Sequence, residues 1–167
     1  MSIAVTAGSR GISNIAAILR RVVRALEERG AKPFVIPAMG SHGGATAQGQ
    51  SDVLTALGVT EEYLSCPIRS SMDVKRIGTT FDGRPVQIDA HAAAADGIVV
   101  VNRVKAHTSF TGPVESGLMK MMAIGLAKQA GAEVCHQEGY GKIAGNIRKY
   151  GNAILEYANI LFGVAII

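Results

Sequence analysis

The sequence contains no run of five basic residues, no tryptophan, and few aromatics of any kind, 5% of its 167 residues. The formal net charge is only +4, and the cations are scattered: Arg20, Arg21, Arg24 and Arg29, then Lys75, Arg76 and Lys105. Nucleic-acid binding draws on a concentrated positive surface, and single-strand binding also needs rings on which bases stack. The composition therefore argues against a nucleic-acid partner and favours a mildly positive cleft for a small anionic ligand. Cysteine is almost as scarce. Cys66 and Cys135 stand far apart with no Cys-x-x-Cys pair, which speaks against a disulfide framework or a cysteine-ligated zinc and fits a reducing cytoplasm. The opening "MSIAVTAGSR" lacks the charged-then-apolar pattern of a secretory signal. The late apolar run "ILFGVAII" is too short to cross a bilayer as a helix, which takes about 20 residues, so no membrane association is expected.

What is present is apolar patterning. Apolar residues make up 48% and charged residues 18%, the balance of a globular chain with a core. The length suits one domain, expected over residues 1–167. "IAVTAG" reads as a short buried strand. Residues 13–29 follow with Ile15, Ile18, Leu19, Val22 and Leu26 at helical spacing, opened by Ser13 and closed by Gly30. "KPFVIPAM" is a second strand, and "TAQGQSDVLTALG" a helix capped by Thr46 and ended by Gly58. "VKRIGTTFDGRPVQID" reads as a hairpin around Asp82-Gly83. "DGIVVVNRV" is the clearest buried strand. "VESGLMKMMAIGLAK" reads as one apolar helix, followed by a glycine break at Gly131, a helix near 143–158 and a final strand "ILFGVAII" that looks buried. Strands alternate with helices, so the fold class is α/β, Rossmann-like, with a largely parallel sheet flanked by helices. The chain stops inside an apolar strand, which suggests a truncated domain or part of a longer protein.

Ligands of such sheets bind outside the carboxyl ends of the strands. Three loops leave those ends, at 7–12, 39–46 and 102–113, and they hold Arg10, His42, Asn102, Lys105 and His107. "AMGSHGGAT" sets His42 among glycines, which permit close approach of a ligand to the backbone. "VTAGSRGIS" is reminiscent of the nucleotide loop of short-chain dehydrogenases, which would make the chain an NAD(P)-dependent oxidoreductase. That loop needs glycines where Ala7 and Ser13 stand here, and none of Tyr63, Tyr140, Tyr150 or Tyr157 has the lysine four residues on that the chemistry requires. A zinc hydrolase is disfavoured by the absence of HExxH or comparable ligand spacing. His91 reads as structural, and Met119, Met121 and Met122 as core packing.

"NRVKAHTSFTGPVESGLMKMMAIGLAKQAGAEVCH" carries the chemistry. Lys120 lies in an apolar stretch, where a lysine either snorkels to solvent or is held for a purpose; a desolvated amine becomes nucleophilic toward acyl or carbonyl carbon. His136 follows after the glycine break. On these residues the sequence resembles the nickel-pincer lactate racemases and their homologues, along nearly its whole length, as the N-terminal, cofactor-carrying part of a longer protein. The resemblance implies an isomerase, a racemase or epimerase of a 2-hydroxy acid working by hydride transfer. It implies a nickel-pincer nucleotide, a pyridinium thioamide/thiocarboxylate mononucleotide, attached to Lys120 and with its nickel ligated by His136. His42 and His107 would be the proton-transferring pair and Arg10 the residue that grips the substrate carboxylate. Ser109 and Ser116, with Asn102 and Lys105, would contact the cofactor phosphate. Cofactor-biosynthesis proteins are implied partners, and a homo-oligomer is left open.

The chemistry suits these residue types. Soft sulfur donors and an imidazole suit square-planar nickel. Two opposed faces of a planar intermediate call for two bases that titrate near neutrality. An arginine holds a carboxylate bidentately. The sequence also departs from the family pattern. Ala7 and Gly11 flank Ser9-Arg10 where the racemases have an acidic residue and a proline, "TGPVESGLMK" replaces a compact Gly-Gly stretch, and "SHGGATAQGQ" replaces Gly-Thr-His-Arg. These differences direct the expectation from lactate toward a larger or sugar-derived 2-hydroxy acid. The competing reading is a nucleotide- or anion-binding α/β domain without catalysis, which would show no metal dependence.

Overall fold

The structure, a computed structural model, describes residues 1–9, 11–106, 111–112, 114–137 and 139–167. In chain order the elements are β1 (Ser2–Ala7), α1 (Ile15–Glu27), β2 (Lys32–Pro37), α2 (Ala47–Ala56), the single turn α3 (Glu61–Leu64), β3 (Val74–Thr79), β4 (Pro85–Asp89), the single turn α4 (Ala90–Ala93), β5 (Gly97–Arg103), α5 (Gly117–Lys120), α6 (Lys128–His136), α7 (Ile143–Tyr157) and β6 (Ile160–Ile166). A π-helical segment, Met121–Leu126, joins α5 to α6. Among the described residues no helix is long and apolar enough to cross a membrane.

Four strands form one parallel sheet in the order β2-β1-β5-β6. The fold is α/β with the sheet flanked by helices. Both sheet faces are covered, which explains why its inner strands are apolar at successive positions. Ile3, Val5, Val35, Val99 and Val101 point to one side and bury Leu19 and Val23 of α1 and Leu54 of α2. Ala4, Phe34, Ile36, Ile98 and Val100 point to the other and meet Met121, Met122 and Leu126 of the π segment and Ile147 and Ile154 of α7. Strands β3 and β4 form a separate antiparallel hairpin, whose Val86 and Ile88 join this second core. Gly83 turns the hairpin at φ 82°, a left-handed conformation that glycine adopts without strain.

Several local expectations need correction. Helix α1 is entered through Asn14, at φ 61° and without a side-chain cap, rather than through Ser13. The stretch 114–128 is not one α-helix: α5 lasts a single turn and passes into the π segment. The chain then breaks at Lys128, φ 57°, and not at Gly131, which lies inside α6. Gly131 serves packing instead. A Cβ there would stand 2.1 Å from the Ala127 Cβ and 2.8 Å from the Ala123 carbonyl oxygen. The last strand, β6, is the sheet edge, with Phe162 46% exposed. An apolar run fits an edge strand and a central one alike, and pairing on one side only leaves β6 half in solvent. Thr46 does cap α2, its hydroxyl accepting from the Gly49 amide at 3.0 Å.

Candidate active site at the carboxyl ends of the strands

The loops leaving β1, β2 and β5 meet at the carboxyl edge of the sheet and, with α5, the π segment and α6, enclose a cleft of about 300 Å³. This is the size at which small-ligand sites begin. One wall is the loop after β2. It carries His42, whose Nδ1 shares a short hydrogen bond with the Ser9 hydroxyl from the loop after β1. The backbone of this loop is fixed from behind by Gln50, whose Nε2 donates to the carbonyls of Gly40 at 2.9 Å and His42 at 3.1 Å. Gly43 sits at φ 65° and presses on α2: a Cβ on Gly49 would lie 1.9 Å from the Gly43 oxygen. At Gly43, therefore, glycine serves the turn against the protein's own helix.

The opposite wall is the Lys120–His136 segment. Asn102 at the end of β5 donates to the Gly117 carbonyl at 2.8 Å and so ties the start of α5 to the sheet. Ser116 closes the loop before it, accepting from the Lys105 amide at 2.7 Å and donating to the Lys105 carbonyl at 2.5 Å. Lys120 is half-buried at the junction of α5 with the π segment, a helix irregularity that recurs at functional sites. The two walls touch directly. The Gly40 amide donates to the Gly125 carbonyl at 3.3 Å, and a Cβ on Gly125 would stand 2.5 Å from the Ala38 oxygen.

His136 closes the far end of the cleft. Its Nδ1 lies 2.5 Å from the Ala132 carbonyl oxygen. A carbonyl only accepts, so Nδ1 carries the proton, and in the neutral ring Nε2 bears the lone pair that a metal would use. His42, Ser116, Lys120 and His136 all line this one cleft. His107, Ser109 and Arg10 lie outside the described residues. Sequence reasoning missed Ser9 and Gln50, along with Lys128, whose buried ammonium reaches the Pro37 carbonyl behind the His42 loop. Burial pulls the Lys128 pKa below its ordinary value, and neighbouring Asp89 opposes that shift.

Among the described residues the cleft lining holds Arg103, Lys105 and Lys120 and no carboxylate, a field suited to an anion. No group of three His, Cys, Asp or Glu side chains among the described residues could cage a metal ion. Lys120 and His136 offer an amine and an imidazole nitrogen to the same cleft, donor types compatible with a metal-bearing group attached through an amine.

Comparison with known proteins bears on the family and the fold. The sequence matches the family described as the lactate racemase N-terminal domain over residues 1–142. No curated protein matches it by sequence. Among solved structures, the lactate racemase apoprotein from Thermoanaerobacterium thermosaccharolyticum superposes with a TM-score of 0.59 at 15% identity, covering 99% of this chain and 43% of that one. At that identity the likeness speaks for the fold, and this chain spans less than half the length of the racemase it resembles. With the family match covering most of the sequence and the fold in accord, the chain belongs to the lactate racemase N-terminal domain family.

Proposed function

We propose that this domain carries a nickel-pincer pyridinium mononucleotide on Lys120 and His136, and that its protein racemises or epimerises a 2-hydroxy acid. The observation that carries the reading is the meeting of Lys120 and His136 on one wall of an anion-favouring cleft, with His42 on the other. When bound, the group supplies a reversible hydride acceptor, so that a 2-hydroxy acid passes through a planar 2-oxo acid and returns in either configuration. The Lys120 amine provides the covalent anchor. His136 provides an Nε2 lone pair, its ring oriented by the Ala132 carbonyl. His42 takes and returns the hydroxyl proton, its ring held by Ser9, and His107 does the same for the opposite configuration. Arg10 grips the substrate carboxylate, and Arg103 and Lys105 add to the field that draws the anion in. Ser116 and Ser109 would contact the cofactor phosphate. Other proteins make the cofactor, so material from a host lacking them is expected to be apo.

The test uses a panel of 2-hydroxy acids deuterated at the carbinol carbon, incubated with protein co-expressed with the cofactor-making enzymes. Interconversion of configurations with deuterium kept on carbon is the expected result, because hydride returns to the carbon it left. Loss of deuterium to water would mean proton abstraction at carbon and would overturn the reading. Anion binding without turnover of any of these acids would favour a binding domain, a reading supported by three cations and no carboxylate among the described cleft residues.

A further inference from the structure

The buried ion pair beneath the cleft has no part in the chemistry just described. Lys128 is 1% exposed and its partner Asp89 is fully buried, with Nζ and Oδ2 3.0 Å apart. Lysine is an unexpected residue at φ 57°, a left-handed conformation that glycine adopts without strain. The requirement is therefore for the side chain. Buried ion pairs add little stability over an apolar filling of the same volume; what they can supply is orientation.

The orientation is legible in the hydrogen bonds. The Lys128 ammonium donates to the Pro37 carbonyl at 2.5 Å, the last carbonyl of β2 before the His42 loop. It also reaches Gln50 Oε1 at 3.5 Å. An ammonium only donates, so it selects the oxygen side of the Gln50 amide and turns the NH₂ toward the loop. That NH₂ holds the carbonyls of Gly40 and His42. Asp89 in turn is fixed by capping α4, its Oδ1 accepting from the Ala92 amide at 3.0 Å. Lys128 itself is the first residue of α6, the helix that ends in His136.

We propose that Lys128 and Gln50 are positioning residues that hold the His42 loop in register with the segment bearing Lys120 and His136. The chain Asp89–Lys128–Gln50–His42 carbonyl links one wall of the cleft to the other without touching its contents. Its effect on turnover rests on the racemase reading; its effect on the loop does not.

The experiment is NMR on the 167-residue chain with two variants. Gln50→Glu keeps an acceptor for Lys128 and removes both donors to the loop. Lys128→Met combined with Asp89→Asn removes both charges and frees the Gln50 amide to turn over. In each, the amides of Gly40, His42 and Ala45 should exchange about tenfold faster and the His42 ring nitrogen resonances should shift, while the amides of Val99 and Val101 in β5 stay protected. Should the double variant unfold, Gln50→Glu still decides. Wild-type exchange and wild-type His42 resonances in a folded Gln50→Glu would overturn the proposal. In cofactor-loaded protein, Gln50→Glu should lower kcat and leave KM unchanged. Absence of turnover in the wild type would count against the function, and the exchange result would still decide the positioning role.

Discussion

Replacing His42 with asparagine is expected to lower interconversion of the 2-hydroxy acid by about 10²–10⁴-fold, the usual worth of a positioned acid–base group, and to leave the fold intact. The side chain is exposed and makes no part of either core, so packing loses little. Asparagine is of similar reach and can still bond the Ser9 hydroxyl that now meets Nδ1, but it cannot take a proton near neutrality. Circular dichroism separates loss of function from loss of structure. Near wild-type turnover in a folded His42→Asn would remove His42 from the mechanism. A Ser9→Ala variant should fall less far, because it frees the ring without deleting the base.

The second large effect concerns stability, and it sets two identical substitutions against each other. Alanine is favoured over glycine in helices by about 1 kcal/mol. At Gly145, near the start of α7, a Cβ meets nothing within 4 Å, so Gly145→Ala should raise the melting temperature by about 2–4 °C. At Gly49 in α2 a Cβ would stand 1.9 Å from the Gly43 oxygen and 2.8 Å from its carbonyl carbon. Both are backbone atoms and cannot turn aside. Overpacking commonly costs about 1–3 kcal/mol, and a backbone clash lies at or beyond the upper end, so it outweighs the propensity gain. Gly49→Ala should lower the melting temperature by about 4–8 °C and shift the His42 loop, reducing turnover as well. A stabilised Gly49→Ala would show that the turn does not press on α2 as described.

The sequence displays the sheet and most helices because their burial is periodic. The runs at 3–8, 32–39 and 96–104 are apolar on both faces, and α1 repeats apolar residues on one side. The carboxyl-end rule then brought His42, Asn102 and Lys105 to one edge with no knowledge of the packing. The roles of Lys120 and His136 came from the family resemblance, and their common cleft depends on a π segment and a left-handed Lys128 that no periodicity announces. Lys128 was hidden because its partners, Asp89, Pro37 and Gln50, are distant in sequence. Gly131 was misread because a glycine that allows two segments to touch looks the same in sequence as one that ends a helix. The edge position of β6 was invisible for a similar reason: strand patterning reports apolarity, and pairing partners decide exposure.

The most direct test of the central claim is intact mass spectrometry with nickel analysis on protein co-expressed with the cofactor-making enzymes, wild type beside Lys120→Ala. The wild type should carry added mass together with nickel, and Lys120→Ala should carry neither while remaining folded. An adduct that persists in Lys120→Ala, or a wild type that carries none, would contradict the account and leave Lys120 an ordinary lysine at the edge of an anion-binding cleft.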